Sequence, residues 1–234
     1  MKKITIPILT VLMSMMTLAS CDSSSNDSMA EVKYSFTINK SGSQAKAKAT
    51  ESSSTVMAAA DLQFSSGYIT IREIVFDGDL GDGSSVSITH EQEARIDVAT
   101  GSTTPSLDAV QIPAGTYRSV NLGIELQDIN DEPQMVIEGT YTNTGGTEVP
   151  LRFEFNSGEV FEAEAAQAEV LENRVATAQI TFDPVFWFSD VTSEMLDDAS
   201  RNTNGVIVIS ETSNADIFDG VADKLDVATE ATFK

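Results

Sequence analysis

VSITHEQEARIDV, residues 86–98, puts Val86, Ile88, His90, Gln92, Ala94, Ile96 and Val98 on one parity and Glu91, Glu93, Arg95 and Asp97 on the other. An apolar period of two over this length is the mark of β-strands with one dry and one wet face. The pattern spreads in both directions. Leu62 and Phe64 alternate, Gly67 is expected to break the run, and Ile69 and Ile71 resume it. Ile74 and Phe76 then fall on the opposite parity, so a one-residue bulge is expected near Arg72-Glu73. DGDLGDGSS (77–85) reads as a turn.

Downstream, Pro113-Ala114-Gly115-Thr116-Tyr117 reads as a tight turn, followed by alternating Val120, Leu122, Ile124 and Leu126. Asn143-Thr144-Gly145-Gly146-Thr147 is a hairpin connection between Met135–Tyr141 and Val149–Phe155. Val160 and Phe161 start a further strand, and Ala176, Ala178, Ile180 and Phe182 make one more before Pro184. The tail changes period. Val191, Met195, Leu196 and Ala199 share a helical face, and Ile217, Phe218, Val221, Ala222 and Leu225 follow a Ser213…Asp216 capping box. Val206–Ile209 is a short apolar strand, and residues 228–234 are expected to close as an edge strand. The expected fold is mainly β: an antiparallel β-sandwich of about eight to ten strands with one or two short C-terminal helices.

The first twenty residues read as an address. Lys2 and Lys3 precede an apolar stretch, Ile4–Leu18, too short and wrongly flanked for a stable span. Leu18-Ala19-Ser20-Cys21 follows, and Cys21 is the single cysteine of the chain. This arrangement resembles the lipobox of bacterial lipoproteins. That resemblance implies cleavage before Cys21, a diacylglycerol on its sulfur and an acylated new amine. Two or three acyl chains bury enough methylene to hold a protein on a bilayer. The expected organisation is a signal peptide (1–20), a lipidated Cys21 with a polar tether to residue 31, and one β-sandwich domain over 32–234 with a low-complexity loop at 41–60. The expected location is the outer membrane, with the periplasmic or surface face left open.

The chain has 234 residues and a formal net charge of −22. Such acidity argues against nucleic acid, whose phosphates require neutralising positive charge. A single Cys excludes an intramolecular disulfide and a cysteine-built zinc cage, and a single His excludes a multi-histidine metal site. Lys33, Lys40, Lys46 and Lys48 form the only basic stretch, read as a solvated loop.

IPAGTYRSVNLGIEL (112–126), IDVATG (96–101) and AQITFDPVFWF (178–188) resemble a group of bacterial lipoproteins that share the domain of unknown function 4382. The resemblance covers roughly 60–190 and implies a lipid-anchored β-sandwich, with no established activity and no catalytic residues to carry over. The family's usual "LTDAP" opening is missing here. Fimbrillin-type pilus subunits are a second comparison, without a protease-processing Arg near the N-terminus.

Candidate chemistry is sparse. Asp77-x-Asp79-x-x-Asp82-Gly83 is the best calcium loop, yet its third acid is one place too late for an EF-hand and no Glu closes it, so turn chemistry accounts for it. Asp216, Asp219, Asp223 and Asp226 line one helical face, read as solvated. His90, on the apolar parity, reads as structural. Ser43-x-x-Lys46 matches S-x-x-K without the motifs that should follow it. Trp187, in Phe186-Trp187-Phe188, would be a sugar-stacking platform if it points outward and core if it packs against the helices. The expectation is therefore a non-enzymatic envelope module with no cofactor and no metal. It would be partnered with the membrane through its lipid and with a protein or glycan ligand. A carbohydrate-active protein and a pilus-type subunit are the alternatives.

Overall fold

In the computed structural model, which describes residues 28–40, 62–225 and 229–234, the period-two stretches form strands and the tail forms helices. The strands are β1 (Met29–Ile38), β2 (Leu62–Leu80), β3 (Ser85–Asp97), β4 (Thr103–Thr104), β5 (Val110–Pro113), β6 (Gly115–Leu126), β7 (Met135–Thr142), β8 (Glu148–Phe155), β9 (Val160–Ala165), β10 (Ala168–Val170), β11 (Val175–Phe182), β12 (Ile207–Ile209) and β13 (Thr229–Phe233). The helices are α1 (Pro184–Trp187), α2 (Ser193–Asp197) and α3 (Ala215–Ala222).

The strand order is β12-β8-β7-β2-β6-β9-β13-β11-β1-β5, with β3 on the free edge of β2. One strand joins the two layers. The first half of β2 pairs with β7, from Leu62 opposite Tyr141 to Ile69 opposite Met135. Its second half pairs with β6 and with β3, as at Ile74, opposite Ile124 and His90. The change of partner falls between Ile69 and Ile71. Gly67 does not break the strand; it stays inside it at φ +129. A Cβ there would lie 2.0 Å from the carbonyl oxygen of Val136, so only glycine lets β7 approach this closely. The expected bulge is present, as a register shift between Ile71 and Glu73 against both neighbours. It turns the parity so that Ile71, Ile74 and Phe76 all reach the core.

The fold is mainly β and sandwich-like, and four expectations are corrected within it. The pairing is mixed and not purely antiparallel: β1–β11, β12–β8 and β13–β9 are parallel. Each of these joins strands far apart in sequence, where a crossover is long enough to reverse direction. The last strand is no edge strand; it inserts between β9 and β11. Three short helices form, because Pro184-Val185-Phe186-Trp187 makes a turn of its own, with Asp183 accepting from the Phe186 N–H. The polar stretch 22–31 is shorter as a tether than expected, since Met29 to Val32 pair with Pro113 to Val110.

The hairpin at 143–147 forms as expected, with Gly146 at φ +77 and the Thr147 N–H donating to Asn143 Oδ1 at 2.8 Å. Pro113–Tyr117 is instead a corner. The chain leaves β1's side at Pro113 and joins β2 and β10 from Gly115. The Tyr117 hydroxyl clasps the corner by donating to the Pro113 carbonyl at 2.7 Å. Ser213 caps nothing in α3. The N-cap is Asn214, whose amide bonds the Ser200 and Val208 carbonyls.

The aromatic core sits where the helices meet both layers. Phe188 of the α1 segment packs on Phe64 and Phe153 at ring distances of 5.3 and 5.8 Å. Trp187 stacks on Phe161 at 6.0 Å and Phe218 of α3 lies 5.9 Å from Phe153.

Candidate functional site

The wet face of β3-β2-β6-β9 gathers the acidic residues that the alternation sends outward. Ser87, Asp77, Asn121 and Glu164 stand side by side across the four strands. One step along, Ser85, Asp79 and Ser119 form a second row. Together they line a cleft of about 600 Å³. Its polar groups are carboxylates, hydroxyls and one amide, beside Val86, Val120 and Ala165. The Asn121 Oδ1 is buried and takes no hydrogen bond among the described residues.

Asp79 accepts from the Ser85 hydroxyl at 2.7 Å and the Ser119 hydroxyl at 3.2 Å. Those two bonds, Ser85 first, hold its carboxyl below the usual carboxylate value, so it stays ionised. Asp82 is used differently: it closes its own turn, accepting the Ser84 N–H at 2.9 Å and the Ser84 hydroxyl at 2.7 Å. The Asp77-x-Asp79-x-x-Asp82 run is thus split between a sheet face and a turn. Among the described residues no three His, Cys, Asp or Glu side chains come together in a metal-sized group.

Further along the same face lies a cluster that sequence reasoning did not single out. Glu91, Glu73 and Glu125 are neighbours on β3, β2 and β6. Arg72, exposed by the bulge, bonds Glu125 at 2.7 Å and approaches Glu73 at 3.5 Å. Burial, then the neighbouring Glu73, push the Glu125 carboxyl up, against the pull of Arg72. The phase change at Arg72-Glu73 was the available signal. Only the register of β6 reveals the second carboxylate.

The other sequence candidates separate. Trp187 is fully buried and belongs to the core, so the sugar-platform arrangement is corrected. The ring left at the surface is Phe186, with the Lys224 ammonium 5.5 Å from its centre. His90 is half-buried, its ring 6.1 Å from that of Tyr34. Neither the His90 Nδ1 nor the Tyr34 hydroxyl has a partner among the described residues, and burial pushes the Tyr34 phenol up to about 12. Asp216 and Asp219 stand exposed on α3, with Asp223 just beyond it. Cys21, Ser43, Lys46, Lys48 and Asp226 lie outside the described residues, as does the 41–60 loop. Among the described residues no helix is long and apolar enough to cross a membrane.

No family model, curated protein or solved structure matches this chain.

Proposed function

We propose that the protein is a bacterial cell-envelope lipoprotein, held on the outer membrane through Cys21, whose β-sandwich is a non-enzymatic binding or structural module. The observation that carries the reading is the lone cysteine directly after Leu18-Ala19-Ser20, behind Lys2-Lys3 and the apolar Ile4–Leu18 run. The resemblance to the 4382 group belongs to the same proposal. The cleft on the acidic face supports the binding role. Asp79 is held ionised and pre-oriented by two serine hydroxyls beside Asp77 and Glu164, which suits a ligand rich in hydrogen-bond donors or positive charge.

A second reading, a glycan ligand, is favoured by the mixture of Asp, Ser and Asn groups in that cleft, which matches the hydroxyls of a sugar.

Intact mass spectrometry of the envelope-extracted protein tests the anchor. It is expected to find residue 21 as the N-terminus, carrying diacylglycerol and an acylated amine. An unmodified residue 21, or a cut elsewhere, overturns the anchor. A glycan and peptide array with the same protein tests the module, with binding expected to fall in Asp77→Asn/Glu164→Gln. Polymer hydrolysis that disappears on mutating one acid pair would overturn the non-enzymatic reading.

A further inference from the structure

The chain enters the sandwich at one rim. The Ser28 carbonyl accepts the Ala114 N–H at 2.6 Å, which pins the entry point to the Pro113–Gly115 corner. Met29 then pairs with Pro113, and Glu31 with Val175. The turn at 171–174 is tied to the same place, since Arg174 receives the Glu31 N–H on its carbonyl and donates its own N–H to Leu171. The β2–β3 turn completes the rim, with a cleft of about 520 Å³ between it, Ser28 and the corner.

This rim carries both apolar and cationic side chains. Met29, Leu171 and Val175 are 43%, 44% and 52% exposed, three of the six large apolar side chains left in water among the described residues. Arg174 is in the 171–174 turn, Lys33 and Lys234 lie beside Thr177, two residues past Val175, and Arg118 bonds the Gly81 carbonyl of the β2–β3 turn. These cations lessen the repulsion that an anionic leaflet exerts on so acidic a chain.

We infer that this rim rests on the lipid surface, with Met29, Leu171 and Val175 at headgroup level. The inference rests on the reading of Cys21 as the lipidated residue. Seven residues of chain lead from Cys21 to Ser28, a reach of at most roughly 25 Å. A tether this short holds the domain at a local concentration on the order of millimolar relative to the bilayer. At that concentration a few apolar side chains suffice to bias orientation, although alone they would not recruit the protein. The rim where the tether ends is the end that meets the membrane, and the hairpin at 143–147, beyond the opposite end of β2, points away.

The test uses the full-length lipidated chain in vesicles of phosphatidylethanolamine with a minor share of phosphatidylglycerol and a headgroup-nitroxide lipid. A fluorophore is placed at Leu171→Cys or Glu172→Cys on the rim and at Thr147→Cys on the far hairpin, with Cys21 blocked by its own lipid. Quenching is expected to be several-fold stronger at both rim positions than at 147. Met29→Ser/Val175→Ser should bring the rim signal down towards the far one. Equal quenching at the two ends of a lipidated protein overturns the orientation alone. An unmodified Cys21 overturns the anchor and the orientation together.

Discussion

The inner and outer faces of the β3-β2-β6-β9 sheet come from the same strands, one residue out of step. Inward, Phe76, Leu122, Ile124, Phe161 and Ala163 are fully buried. Outward, Asp77, Asn121, Glu125, Glu162 and Glu164 stand in or beside the acidic cleft. The dry face gains from removing apolar area from water, at about 25 cal/mol per Å². The wet face gains little, because its ion pairs stay partly exposed and screened. Stability and recognition are therefore divided between neighbouring positions, and single substitutions can separate them.

Phe161 and Glu162 are the sharpest pair. Phe161→Ala removes a ring packed 5.3 Å from Phe182 and 6.0 Å from Trp187 and is expected to cost about 3–5 kcal/mol in urea unfolding. Glu162→Ala, one residue on, is expected to stay within about 0.5 kcal/mol. Comparable losses from the two would break the division between the faces.

Tyr117→Phe probes the corner where the dry face begins. It deletes only the hydroxyl that donates to Pro113, so a loss of about 1 kcal/mol is expected, with the far-UV spectrum unchanged. No loss would mean that packing alone holds the corner.

The smallest effects lie on the wet face and differ in sign. Asp79 is held below its ordinary value of 3.8, so its contribution is present above that pH and fades as pH falls through the lower folded value. Asp79→Asn should lower the melting temperature slightly at neutral pH and leave it unchanged in strong acid. Glu125 is shifted up from 4.5, so the folded state holds its proton more tightly than the unfolded chain. The ionised group opposes folding above the raised value, and that penalty disappears as pH falls below 4.5. Glu125→Gln should thus raise the melting temperature slightly at neutral pH and have no such effect in acid. Equal signs for the two variants would show that burial and the cross-strand Glu73 do not outweigh the pull of Arg72 on Glu125.

The bulge at Arg72-Glu73, the hairpin at 143–147 and the inward set of β3 were legible because each depends on the parity of a few consecutive residues. The wet face was legible strand by strand for the same reason. The cleft on it was not, because Asp77, Asn121 and Glu164 become neighbours only through the β2–β6 and β6–β9 registers. Trp187 was undecided from its parity because it lies in a helical turn after β11, where a period of two no longer applies.

By itself, the chain's alternation determined a mainly β protein with one wet and one dry face. Its opening residues marked Cys21 as the residue to test for lipid. The tertiary structure alone decided that β2 would serve both layers, that the last strand would insert between β9 and β11, and that three strand pairs would run parallel. The reason is physical. Side-chain parity is fixed by the local pleat, whereas partner and direction are fixed by whichever closure buries the shared aromatic core and leaves the fewest backbone groups unpaired.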